Sequence, residues 1–169
     1  MSSVIFGNAN ICGEGIISLS KLVEVSTTLQ SFFIGNNRID NMDSARYLSR
    51  SLKSHDCINS LLLPHCDLGS SPEILMVILQ SDVKHINLNN NNIDSLGAVK
   101  IAEYLEGNPI MKHINLAHNR LNDDDVILIS QALRRNTNLR RLDLEENNIT
   151  SIGMKALLKC VYDSSSLNA

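Results

Sequence analysis

Between His55 and Cys66 stand four side chains that can bind zinc: His55, Cys57, His65 and Cys66. Imidazoles and thiolates are the ordinary donors of a tetrahedral site, but the four form no CxxC and none of the usual ligand spacings. A second histidine pair, His85 and His113, could share a metal if the fold brought the two together. Lys84 and Lys112 directly precede them and would repel a cation. Three successive carboxylates, Asp123, Asp124 and Asp125, lie just before a helical stretch, where the helix dipole favours negative charge without any chemistry. The sequence holds no GxSxG, no P-loop and no glycine-rich phosphate cradle. The expectation is therefore no catalytic residue, no cofactor and no metal.

Composition narrows the class. The 169 residues suit one domain, and 43% are hydrophobic, enough to bury a core. Aromatics are only 4% and Trp is absent, so the core must be built from Leu, Ile and Val in many similar layers. A net charge of −3 excludes the strongly basic footprint of a nucleic-acid binder. Cys12, Cys57, Cys66 and Cys160 show no end-pinning disulfide pattern, which points to a reducing, cytoplasmic compartment, where the sequon Asn148-Ile149-Thr150 is chance. The N-terminus lacks the basic and apolar regions of a signal peptide, and no apolar run is long enough to span a bilayer.

The chain repeats itself. VKHINLNNNNIDSLGAVKIAEYL from Val83, MKHINLAHNRLNDDDVILISQAL from Met111 and LRRLDLEENNITSIGMKALLKCV from Leu139 align, and weaker copies begin at Met1, Leu29 and Ile58. The six starts, 1, 29, 58, 83, 111 and 139, are separated by 28, 29, 25, 28 and 28 residues. Positions 4 and 6 of each repeat are apolar and alternate with polar neighbours, the mark of a half-buried strand: Val4 and Phe6, Phe32 and Ile34, Leu61 and Leu63, Ile86 and Leu88, Ile114 and Leu116, Leu142 and Leu144. The period then becomes helical, with Ala98, Ile101, Ala102 and Leu105 on one face; Val126, Ile129 and Leu133, and Met154, Leu157, Leu158 and Val161, predict the same face. Gly15, Gly97 and Gly153 precede these faces, where a permissive backbone is expected. The extra residue of the second repeat falls in the 40–43 loop, keeping Ala45, Leu48 and Leu52 in register. The shortened third repeat has Pro72 opening a brief helix over 73–79.

The pattern LxxLxLxxNxL/I followed by a helix, at a period of 28, resembles the leucine-rich repeat of the ribonuclease-inhibitor type. The resemblance covers essentially the whole chain. It implies an α/β solenoid of about six repeats, a curved parallel sheet on the concave side and helices on the convex side, forming one domain over residues 1–169. It also implies that position 9, here Asn37, Cys66, Asn91, Asn119 and Asn147, forms a buried ladder bonding loop backbone groups. That use of Cys66 removes it from the zinc set. Ala9 departs from the ladder, no cap precedes the first repeat, and Leu167 opens what looks like a seventh. The expectation is a fragment of a longer array, the alternative being a natural small protein with frayed ends.

Such proteins act by binding. On the concave sheet, position 5 reads Ile5, Phe33, Leu62, Asn87, Asn115, Asp143, and position 8 reads Asn8, Asn36, His65, Asn90, His118, Glu146. Position 2 runs Ser2, Gln30, Asn59, Lys84, Lys112, Arg140, and position 3 runs Ser3, Ser31, Ser60, His85, His113, Arg141. The N-terminal half thus offers an apolar row, Ile5, Phe33 and Leu62. The C-terminal half offers a basic band of Lys84, His85, Lys112, His113, Arg140 and Arg141, with Asp143, Glu145 and Glu146 towards the other edge. Apolar groups with a polar rim suit a protein partner. The expectation is a non-catalytic monomeric scaffold binding a protein of unidentified kind, neither nucleic acid nor membrane. The alternative is a regulator of an enzyme, such as a GTPase-activating or inhibitor-type repeat protein.

Overall fold

A computed structural model describes residues 3–166. Strand and helix alternate along the chain: β1 (Ser3–Ile5), α1 (Gly13–Val25), β2 (Ser31–Phe33), α2 (Met42–Lys53), β3 (Ser60–Leu62), a 3-10 turn (Leu68–Ser70), α3 (Pro72–Leu79), β4 (His85–Asn87), α4 (Ser95–Glu106), β5 (His113–Asn115), α5 (Asp123–Leu133), β6 (Arg141–Asp143) and α6 (Ser151–Ser166). The strands form one parallel sheet in sequence order. Consecutive repeats pair without slippage, as in Ile5↔Phe33↔Leu62↔Asn87↔Asn115↔Asp143. This is the leucine-rich-repeat solenoid.

The core is one continuous layer between sheet and helices. Phe32, Ile34, Leu61, Leu63, Ile86, Leu88, Ile114 and Leu116 are buried from the strands, and Ala45, Leu48, Ile101, Leu105, Val126 and Ile129 meet them from the helices. In the outer repeats Val4, Phe6, Leu142 and Leu144 are only partly buried, because each has a neighbour on one side alone. On the apolar face expected of α6, Met154 is 45% and Leu158 64% exposed while Leu157 is half-buried, and among the described residues no helix packs beyond it.

Local sequence explains the boundaries. Asn41, Asp94 and Asn122 accept hydrogen bonds from the first free amides of α2, α4 and α5, and Asn122 with Asp125 completes a capping box. The extra residue of the second repeat lies between Ile39 and this cap. Pro72 opens α3, whose eight residues compare with 12 in α2 and α4. The reason for the helix-start glycines differs from the one expected. They lie inside the helices without a left-handed φ. Space decides instead: a Cβ on Gly97 would lie 2.6 Å from Cγ2 of Ile93.

Candidate functional site

The ladder column sets the sheet geometry. Asn119 Oδ1 accepts from the amides of Asn91 (3.0 Å) and Ile93 (2.9 Å), and its Nδ2 donates to the carbonyls of Leu88, Leu116 and Ala117. Asn37 and Asn91 make the same two-way links to the repeat before them, and Asn147 does so with Leu121 and Leu116. Each amide side chain satisfies backbone groups that the buried turn takes out of water. Cys66 keeps only half of the role. Its Sγ donates to the Ile34 and Pro64 carbonyls, and the Ile39 amide turns to the Cys66 carbonyl instead. Burial pushes the Cys66 thiol up to about 11, so at neutral pH it is a poor metal ligand.

Position 5 does form one row across the concave sheet. Ile5 is 71% exposed, while Phe33 and Leu62 are half-buried. The Phe33 ring lies over two glycines. A Cβ on Gly7 would collide with it, and one on Gly35 would meet Pro64 at 2.6 Å and Phe33 at 2.9 Å. Phe33, packed over Gly7 and the buried Gly35, thus makes one apolar surface with Pro64, broader than the position-5 row. The clue in the sequence is glycine at position 7 in the two repeats beneath the ring.

The polar half of that row has a structural cause that residue spacing alone does not reveal. Asn87 Oδ1 accepts from the Asn89 amide and Asn115 Oδ1 from the Ala117 amide, each at 2.9 Å. These side chains hold the turn at position 7. In the third repeat position 7 is Pro64, which has no amide to satisfy, so Leu62 is free to be apolar. Position 8 is also structural. Asn8, Asn36, His65, Asn90, His118 and Glu146 all adopt left-handed backbone, with φ between 52 and 57°.

The basic band is brought together but is not separate from the acid. Asp143 stands within it: Oδ1 lies 2.8 Å from Arg141 Nε and Oδ2 2.9 Å from His113 Nε2. The Arg141 guanidinium, with His113 helping, holds the Asp143 carboxyl below its usual range. Lys112 donates to Asn138, Lys84 and Arg140 are exposed, and His85 meets His113 edge-on with ring centres 6.1 Å apart. Partial burial, then His113 and Lys84, push the His85 imidazole below its ordinary value.

Of the other metal candidates, His55 and Cys57 are engaged elsewhere. His55 Nε2 lies 2.7 Å from the Ser26 carbonyl, and its Nδ1 accepts from the amides of Cys57 and Ile58. Asn136 does the same before β6, accepting from the amides of Asn138 and Leu139 and donating to the Leu105 carbonyl. His55 and Asn136 both stand three residues before a repeat start. Each braces the helix-to-strand turn of its own repeat, a role that the strand and helix periods do not mark. Among the described residues, no group of three or more His, Cys, Asp or Glu side chains is placed to hold a metal ion. Among them, too, no helix is long and apolar enough to cross a membrane.

Residues 73–169, more than half of the chain, match the family model of the TMOD/LMOD leucine-rich domain. Among solved structures, the chain is similar to one described as leiomodin-1 actin-binding site 2, with 16% identity, 99% of this chain and 83% of that chain covered, and a TM-score of 0.49. No curated protein matches the chain in sequence.

Proposed function

The chain belongs to the TMOD/LMOD leucine-rich domain family, and from that premise we propose that it is a non-catalytic scaffold binding a partner protein on its concave face. One observation carries the reading. The Phe33 ring, with Ile5, Leu62 and Pro64, presents a contiguous apolar surface beside the charged cluster of Lys84, Lys112, Arg140, Arg141 and Asp143. An apolar centre with a charged margin is the usual anatomy of a protein interface. The cations contribute mainly to encounter rate and salt dependence, the aromatic ring to residence. The spacing of Cys12, Cys57, Cys66 and Cys160, with no end-pinning pattern, favours a reducing, cytoplasmic setting.

The test uses purified actin, because the similar leiomodin-1 structure is described as an actin-binding site, alongside a cell lysate. Wild type, Phe33→Ala and the convex-side control Lys100→Ala serve as bait. Phe33→Ala is expected to weaken capture by about 2 kcal/mol or more, with little change in urea stability, while Lys100→Ala binds as wild type. Undiminished capture by Phe33→Ala would remove the concave face from consideration. A captured enzyme whose rate changes on binding would move the reading towards regulation.

A further inference from the structure

A groove opens on the helical side of the molecule, where the eight-residue α3 lies beside the 12-residue α2. Between α2 and α3 lies a cavity of about 480 Å³, walled by Arg46, Ser49, Arg50 and Lys53 on one side and by Val77 and Gln80 on the other. Arg46, Arg50 and Lys53 follow one stripe of α2, ~10 Å from end to end at the rise of an α-helix. This is a local reversal of charge in a chain whose net charge is −3. Arg46 pairs with Asp43 at 3.5 Å and Lys53 with Asp82 at 2.9 Å, both in solvent, where exchange for other carboxylates costs little. Arg50 is exposed and meets no carboxylate among the described residues. Val77 supplies a half-buried apolar floor.

We propose that this groove docks an acidic amphipathic helix of a partner protein, its carboxylates along Arg46, Arg50 and Lys53 and an apolar side chain against Val77. A helix lying between two helices is a recurrent recognition mode, and carboxylates one and two turns apart match the cation stripe. A free phosphate needs convergent donors, whereas these are strung along two turns. A membrane surface needs a protruding apolar face, and this one is recessed. Nucleic acid needs a longer cationic track.

The test titrates the full chain with a synthetic helical peptide bearing Glu at i, i+4 and i+7 and Leu on the adjoining face, read by amide chemical shifts. Companion titrations use a Gln-for-Glu peptide, inorganic phosphate, phosphatidylserine vesicles and a DNA duplex. The Glu peptide is expected to shift α2 and α3 amides, and to do so less as salt rises. Arg50→Glu should weaken it roughly tenfold, and Gln80→Glu, on the opposite wall, should weaken it by a separate route. Phe33→Ala should leave it unchanged, which separates this surface from the concave one. Equal binding of the Gln peptide, shifts elsewhere, full binding by both folded variants, or tighter binding of phosphate, vesicles or DNA at α2 and α3 would each overturn the proposal.

Discussion

A single amide side chain does the work of five backbone partners in Asn119, which is why the ladder tolerates so few residue types. Asn carries acceptor and donor on one short planar group. Cys66 carries only a weak donor, and the long 3.4 Å bond from the Ile39 amide to the Cys66 carbonyl is the consequence. Asn119→Ala should cost about 1–3 kcal/mol, the cost of leaving buried groups unpaired. The exposed neighbour Arg120→Ala should cost under ~0.5 kcal/mol. Urea melts of the two decide it, and equal losses would contradict the ladder's energetic role. Asn115 is unsuitable as a neutral comparison, because it braces the Ala117 amide.

Helices are joined to the preceding repeat as well as to the sheet. Asp123, the first residue of α5, accepts from the Thr150 amide (2.8 Å), the Gly153 amide (3.0 Å) and the Thr150 hydroxyl (2.6 Å), and so caps α6 from outside. The Thr150 hydroxyl first, then the two amides, hold the Asp123 carboxyl below its ordinary value. A carboxyl with a depressed folded pKa stabilises fully above its unfolded value of about 3.9. That contribution is lost as the pH falls further, through the folded value. Amide protection factors in α6 should therefore drop on acidification below pH ~4 more steeply in wild type than in Asp123→Asn. The variant should also show lower α6 protection at neutral pH. Matching profiles in the two proteins would show that the cap carries no stability.

Across the whole molecule, stability is a sum over neighbours. The four inner repeats bury their inward-facing strand residues, whereas β1 and β6 each pair on one side and leave Val4, Phe6, Leu142 and Leu144 partly exposed. Amide exchange should be fastest in residues 3–28 and beyond 155, and slowest in β3, β4 and β5. Even protection along all six repeats would mean that the ends are covered in solution, as by a second copy of the chain. The groove at α2 and α3 belongs to this scale too: it is formed between helices of neighbouring repeats and by neither repeat alone.

Repeat register, strand and helix periods and the ladder column were legible in the sequence, because each is a local pattern that recurs every 28 residues or so. The sheet pairing follows directly, since parallel strands in identical repeats must align position by position. Cross-repeat partnerships were not legible. That Asp143 joins His113 to Arg141, that Asp123 caps α6 and that Phe33 covers Gly7 depend on side-chain direction and on the offset between adjacent layers. Those distances of a few ångströms have no signature in spacing along the chain. The contrast at position 5 shows the same division: polar and apolar residues, and the missing amide of Pro64, were visible as letters, but only the fold revealed that Asn87 and Asn115 bond the turn amide beside them.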